Sequence, residues 1–279
     1  MQSVYLMMHQ QRKDTVALAG QVSTALRDAG IAVCMEPWLR QAVGDPCEGD
    51  AETFPMEAVV AVGGDGTLLR ATQTAIARDV PVLGINVGRI GFLVETELQH
   101  LSEACARLRD DDFSIEKRMM LDVILPDGTV RKALNDVVLS RGGYARLIAV
   151  TARVGEELVG RYIADGLIVS TPTGSTGYSL SAGGPIVCPE VECILLSPIC
   201  PHSLQHRPVV ANATQTVTIA LDCAPEQTAQ LDVDGRMVAA LSGTQQVTIN
   251  RSETVTRLIR FGANSFFHRI RAKLTEWSC

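Results

Sequence analysis

The chain of 279 residues is long enough for about two domains, and a composition that is 46% hydrophobic and 20% charged excludes wholesale disorder. With 25 Lys and Arg against 31 Asp and Glu the formal net charge is −6, which leaves no basic footprint for nucleic acid or an anionic membrane surface. Aromatic residues make up only 4%, too few for a base-stacking platform, so the balance points to a cytoplasmic protein that handles small molecules.

The N-terminal stretch MQSVYLMMHQQRKD lacks the charged-then-apolar layout of a secretory leader. The eight cysteines form no C-x-x-C pair; they read as reduced thiols, most of them small core hydrophobes. Val4 to Met8 predicts a strand. Residues 14–29 carry Val16, Ala19, Val22 and Leu26 at helical spacing, and Gly30 follows where a helix ends in a left-handed glycine. Ile31 to Met35 predicts a second strand. Ala58 to Val62 is apolar throughout, as a strand buried on both faces of a parallel sheet should be. A glycine turn, a helix from Thr67 to Arg78 and a strand from Pro81 to Ile85 complete a βαβ unit, which predicts a Rossmann-like α/β domain with a parallel sheet.

From about residue 116 the texture changes. Short runs rich in Val, Ile and Leu, such as Leu121–Leu125 and Val217–Leu221, are divided by turn signals at Pro126-Asp-Gly, Arg141-Gly-Gly, Gly155-Glu-Glu and Asp234-Gly. This predicts a β-rich, sandwich-like domain with no helix before residue 250. Phe266, Phe267, Ile270 and Leu274 then recur at helical spacing and predict a C-terminal helix that returns to the first domain. The domains expected are 1–115 with 251–279, and 116–250. The longest uncharged run, 167–189, has the length of a membrane span, but 14 of its 23 residues are Gly, Pro, Ser or Thr, so no span is expected.

Four segments carry chemistry. In Val62-Gly-Gly-Asp-Gly-Thr-Leu-Leu-Arg70 a buried strand meets three glycines, and a helix begins at once. Such a start offers free amides and partial positive charge to a phosphate. Asp65 in that cradle would repel an anion, which makes sense if it binds Mg²⁺ or accepts a proton from an attacking hydroxyl; it also reads as a plain helix cap. Arg70, one turn further on, would return positive charge. Gly84-Ile-Asn-Val-Gly-Arg-Ile-Gly-Phe92 reads as a second backbone-lined wall or as an ordinary loop, with Phe92 at its end a nucleotide-binding candidate. Asn135-Asp136 at a strand start offers an amide and a carboxylate for an adenine edge and ribose hydroxyls, and it also makes turns.

The strongest signal is Ala164-Asp-Gly-Leu-Ile-Val-Ser-Thr-Pro-Thr-Gly-Ser-Thr-Gly-Tyr-Ser-Leu-Ser-Ala-Gly-Gly-Pro185, a wall of hydroxyls anchored at both ends by apolar residues and suited to sugar and amide recognition. It lacks the G-x-S-x-G serine elbow. The P-loop pattern and a strand-linked G-x-G-x-x-G are absent from the chain. His202 and His206 stand four apart, but Pro201 argues against one helix carrying both as a zinc pair.

Taken together, Gly63-Gly-Asp-Gly-Thr67, Asn135-Asp136, Asp165 to Thr176 with Tyr178, the Pro198–Pro208 segment PICPHSLQHRP and the Phe266–Trp277 tail resemble the NAD kinase family, in family order across nearly the whole chain. The first motif is shared with lipid kinases and phosphofructokinases; the long hydroxyl-rich one is far more specific. The resemblance implies transfer of the ATP γ-phosphoryl group to the 2′-hydroxyl of the adenosine ribose of NAD, giving NADP, with a divalent metal (Mg²⁺), at a site between the two domains. It implies Asp65 as proton acceptor or metal-linked acid, Gly66 as a phosphate contact and Arg70 as a phosphate or adenosine contact. Asn135 and Asp136 would hold adenosine and ribose, and Asp165 the nicotinamide end, with Thr176, Gly177, Tyr178 and Ser181 nearby; Arg146 matches a further binding position. It also implies a homodimer or homotetramer with Tyr178 near a subunit boundary. Gly177 stands where the family usually has Ala, Ile163 where some members carry a basic residue, and Arg236 where many have Gln. A catalytically silent nucleotide sensor and a lipid kinase are the competing readings; the first predicts loss of Asp65 and the second an apolar entrance.

Overall fold

The structure is a computed structural model, and it describes residues 1–10, 12–47, 49–88, 91–142, 147–203, 205–222, 228–262 and 266–276. The chain divides into two compact units, Met1–Lys117 with Thr256–Cys279, and Arg118–Val255.

The first unit is α/β. Its elements are β1 (Ser3–Met8), α1 (Thr15–Asp28), β2 (Ala32–Met35), α2 (Pro37–Val43), β3 (Ala58–Val62), α3 (Asp65–Ala77), β4 (Val82–Asn86), β5 (Thr96–Glu97), α4 (Leu101–Arg109) and the start of β6 (Ser114–Ile124). β1 pairs in parallel with β2 and β3, and β3 with β4. The apolar runs lie where the sequence predicts strands, because every residue of β3 and β4 is buried and neither face needs polar alternation. Gly30 takes the left-handed φ of 83° that ends α1. Val4, Leu6, Val60, Val62, Leu83 and Ile85 form the core with Ala19, Val22 and Leu26 of α1 and Leu101 and Leu108 of α4.

The second unit is antiparallel. Its elements are the rest of β6, β7 (Val130–Ala133), β8 (Asp136–Arg141), β9 (Ile148–Val154), β10 (Glu157–Ala164), β11 (Gly166–Ser170), α5 (Tyr178–Ser181), β12 (Cys193–Ile199), β13 (Val209–Asn212), β14 (Val217–Leu221), β15 (Thr228–Val233), β16 (Arg236–Ser242) and β17 (Gln246–Arg260). One sheet runs β13-β12-β11-β8-β15-β16, and β10-β9-β14-β17 forms the second layer. Alternate residues of both, among them Val137, Leu139, Leu167, Val169, Val150, Ala152, Val217 and Ile219, share one buried core, the arrangement of a sandwich. The last residues of β17 belong to the first unit, where Leu258 pairs with Val82. α6 (Phe266–Glu276) follows in that unit, with Ile270 buried and Arg269 set 3.8 Å from Glu95.

The structure adds α2 and α4, which the sequence reading does not name, and differs from it elsewhere. α3 begins at Asp65 rather than Thr67. A 3₁₀ turn at Gly174–Thr176 and the one-turn helix α5 interrupt the β-rich unit, where no helix is expected. Among the described residues, no helix is long and apolar enough to cross a membrane.

Candidate functional site

In the α/β unit β3 runs straight into the phosphate-loop motif. Gly63 has a φ of 155°, and a Cβ there would lie 2.9 Å from that of Thr67, so only glycine permits this strand-to-helix turn. The Gly64 carbonyl accepts the amides of Thr67 and Leu68, and Gly64 is the cap residue of α3. The amides of Asp65 and Gly66 have no acceptor within the helix by the geometry of any helix start, which makes this end a place for an anion.

Asp65 does not cap the helix. It is the first helical residue, and its carboxylate accepts hydrogen bonds from the backbone N–H groups of Phe92 at 2.9 Å and Leu93 at 3.0 Å. The plain-cap reading is therefore corrected: residues 91–93 lie directly against this carboxylate. Gly84 admits this segment, since a Cβ there would lie 3.0 Å from Cα of Val94. Gly88 has a φ of 142°. Phe92 lies with its ring 5.7 Å from Nζ of Lys273. Arg70 is engaged elsewhere: its guanidinium grips the carboxylate of Glu36, with Nη2 3.0 Å from Oε2, and donates to the Met8 carbonyl. These bonds occupy three of the five N–H donors of the Arg70 guanidinium.

In the β-rich unit the second group of candidates converges on one end of β11. Asp234, in the turn between β15 and β16 with a φ of 48°, accepts the amides of Leu134 at 2.8 Å, Asn135 at 2.7 Å and Asp136 at 3.2 Å. This holds Asn135-Asp136 in its turn. The Asn135 carbonyl accepts the amide of Thr171 at 2.9 Å, and the Thr171 hydroxyl donates to the Leu134 carbonyl while accepting from the Gly174 amide. A Cβ on Gly174 would lie 2.6 Å from the Asn135 carbonyl carbon, so this close approach of two backbones demands glycine. Gly177 is less tightly placed than Gly174 but not open: a Cβ there would meet the Gly174 carbonyl oxygen at 3.3 Å, a close contact, with Nδ2 of Asn135 at 3.6 Å and Oδ2 of Asp136 at 3.8 Å. An alanine at this position would need the neighbouring backbone to give by a few tenths of an ångström.

The hydroxyls of this turn serve mostly the turn itself. Ser175 donates to the Pro172 carbonyl and accepts the Val187 amide, Thr176 donates to the Thr173 carbonyl, and Ser179 pairs with Ser197. Two side chains that take no part in these bonds are those of Asn135, whose buried Oδ1 has no partner, and Asp136. Burial, followed by the charges of Asp234 and Asp232, pushes the Asp136 carboxyl up from 3.8 to about 7. The unfolded chain gives up this proton near 4, whereas the folded chain keeps it. The contribution of Asp136 to stability is therefore fully present below about 4 and is lost as pH rises through about 7. Urea midpoints taken from pH 4 to 8 should show this decline in the native chain and a flatter profile in Asp136→Asn; identical profiles would show that Asp136 titrates normally.

Asp165 stands at the other end of β11, five residues or roughly 16 Å away. Its carboxylate pairs with Arg141 at 2.9 Å, and the Arg141 amide donates to its carbonyl. The structure thus does not bring Asp165 together with Asn135 and Asp136. The segment between them is α5: Ala182 packs on Val138, Ile168 and Ile199, so residues 177–182 run along the face of β11 towards Asp165, with Tyr178 48% exposed and Ser181 exposed. Arg146 lies outside the described residues. The His206 ring packs against Tyr162 at a tilt of 46°, with centroids 4.6 Å apart, and no group of three His, Cys, Asp or Glu among the described residues is placed to hold a metal.

The residues that sequence reasoning misses are Glu36, Asp234 and the amides of Phe92 and Leu93. Asp234-Gly reads only as a turn, and nothing local in a sequence reports which backbone a carboxylate will accept.

Residues 4–113 match the family model described as the ATP-NAD kinase N-terminal domain, and residues 134–261 match the ATP-NAD kinase C-terminal domain. The NAD kinase of Geotalea daltonii is 37% identical, covering 99% of this chain and 98% of that protein. The NAD kinase of Gemmatimonas aurantiaca is 43% identical over 79% of this chain and 78% of its own. Among solved structures, yeast NADH kinase complexed with NADH superposes with a TM-score of 0.86 at 25% identity, covering 99% of this chain and 88% of that one. An NAD kinase from Archaeoglobus fulgidus in complex with ATP superposes at 0.77 with 26% identity, covering 99% of both chains.

Proposed function

Because this chain belongs to the NAD kinase family, we propose that its ATP-dependent phosphorylation of NAD runs through Asp65 and through the candidate residues at the two ends of β11. The reaction moves the γ-phosphoryl group of ATP to the 2′-hydroxyl of the adenosine ribose of NAD, giving NADP. A new bond forms from that oxygen to Pγ, the Pβ–O–Pγ bridge breaks, ADP departs, and the hydroxyl proton must go to a base. The observation that carries the residue-level reading is Asp65 itself: a part-exposed carboxylate, held by two amides, at the start of a helix whose first donors suit phosphate. Asp65 accepts the proton, and the amides of Asp65 and Gly66 meet phosphate oxygens.

NAD is long, and its candidate contacts are spread from one end of β11 to the other. Asn135 and Asp136 hold the adenosine and its ribose; Thr176, Gly177, Tyr178 and Ser181 line the way; Asp165, oriented by Arg141, meets the nicotinamide end. The α/β unit thereby serves the phosphates and the β-rich unit serves NAD. Mg²⁺ enters with ATP as part of the substrate. The donor set suits this, because Mg²⁺ is commonly bound by one or two carboxylates together with phosphates and water, and no dedicated three-residue cage is present among the described residues. The metal would neutralise phosphate charge.

The direct test incubates the purified protein with NAD and ATP, with and without Mg²⁺, and assays NADP by a coupled dehydrogenase, with NADH tried in parallel. NADP formation should disappear when EDTA is added and return with Mg²⁺. Undiminished turnover in EDTA would remove the metal from the reading, and no NADP under any condition would remove the activity. We further propose a cytoplasmic homodimer or homotetramer with exposed Tyr178 near the subunit boundary; light scattering that finds a fully active 30.0 kDa monomer would refute the assembly.

A further inference from the structure

We propose that the segment Gly91–Glu95 is a strap that aims the Asp65 carboxylate, with Gly91 as its positioning residue. This rests on the reading of Asp65 as proton acceptor. A carboxylate at the start of a helix can rotate freely about its last torsion unless something fixes it. Here the Phe92 amide donates to Oδ2 and the Leu93 amide to Oδ1. Both oxygens are thereby fixed, and each keeps a further lone pair for a substrate hydroxyl.

The strap is itself anchored. The Leu93 carbonyl accepts from Nη1 of the buried Arg260 at 2.9 Å. Glu95, whose side chain is 2% exposed, accepts from the same nitrogen at 3.1 Å and from the Phe261 amide at 2.8 Å. The Glu95 amide donates to the Gly84 carbonyl at 2.9 Å. Such a network has discrete packed arrangements rather than continuous play, so the two amides present a fixed fork to Asp65.

Gly91 is the residue that makes the close approach possible. A Cβ placed on it would lie 2.7 Å from Cγ of Asp65 and 3.0 Å from Oδ2, and the three nearest atoms it meets all belong to that carboxylate. Its backbone is not in the left-handed region. Alanine therefore fits the chain and displaces only the carboxylate.

The test compares Gly91→Ala, Asp65→Ala and the double variant by steady-state kinetics, thermal melting and amide hydrogen exchange. Gly91→Ala should lower kcat by at least about tenfold, since small displacements of a reacting group carry large rate effects. Its KM values for NAD and ATP should stay within about threefold, the signature of an interaction needed only in the transition state. The melting temperature should be unchanged, and the Phe92 and Leu93 amides should exchange faster in both single variants. In the Asp65→Ala background the second change should cost nothing more, because no carboxylate is left to displace. Near-normal kcat in Gly91→Ala, a loss accompanied by weaker binding and lower melting, a loss added in full to that of Asp65→Ala, or unaltered amide exchange would each overturn the strap. Near-normal kcat in Asp65→Ala would instead overturn the proton-acceptor reading on which the strap rests.

Discussion

Asp65→Ala is expected to lower kcat by about 10²–10⁴-fold, the range a positioned general base contributes, with the KM for NAD little changed. A ribose hydroxyl is a weak nucleophile at neutral pH, and its attack on phosphorus needs an acceptor for its proton. Asp65→Asn is the less clean probe. The asparagine oxygen can replace one carboxylate oxygen, but its NH₂ group must then face the second backbone donor, from Phe92 or Leu93. Asparagine would thus turn or push away the loop that holds it. Alanine leaves both amides without this acceptor but introduces no opposed donors. If Asp65 chiefly anchors the metal, the loss should be partly rescued by raising Mg²⁺, because weaker binding yields to mass action; a missing base is not rescued. Near-normal kcat would take Asp65 out of the chemistry.

The sequence shows clearly those features whose cause is local. β3 and β4 are unbroken apolar runs between turn residues, and their burial on both faces is the property that makes such runs readable. Gly63 stands out because a strand can meet a helix this abruptly only through glycine. α4 was also within reach: Leu101, Ala104, Cys105 and Leu108 are its buried face at helical spacing. α5 was not, because a single turn between Gly177 and Gly183 has too few residues to show a period.

At the site, the distances in sequence explain what was hidden. Arg70 meets Glu36 from 34 residues away, and neither neighbourhood advertises the other. Gly174 looks like one more small residue in a hydroxyl-rich run until the Asn135 backbone is found against it. The abundance of hydroxyls suggests a ligand-facing wall, yet Thr171, Ser175 and Thr176 spend theirs on backbone carbonyls. A turn buried this deeply must satisfy its own polar groups, and short hydroxyl side chains do so with little volume.

Asp234 offers the second large effect, in stability and NAD binding together. Three backbone amides, those of Leu134, Asn135 and Asp136, donate to its carboxylate. Leaving a buried donor unpaired costs about 1–3 kcal/mol, so Asp234→Ala should destabilise the β-rich unit by about 3–5 kcal/mol even if water reaches part of the gap. Alanine also tolerates the left-handed φ of 48° poorly, whereas asparagine tolerates it well. Asp234→Asn keeps that conformation and one carbonyl oxygen, and its cost should be clearly smaller. The variants should also differ from the native chain in the titration of Asp136, because the Asp234 charge is the second cause of its raised value, after burial; without that charge the Asp136 carboxyl should ionise at lower pH. Since the same three amides set the angle at which Asn135 and Asp136 leave their turn, NAD affinity should fall in parallel with stability. Urea unfolding followed by exchange of the 134–136 amides separates the two effects. An Asp234→Ala chain that unfolds within about 1 kcal/mol of the native one would mean that water or a neighbouring acceptor satisfies these donors, and that the turn is held by its contacts with Thr171 and Gly174 alone.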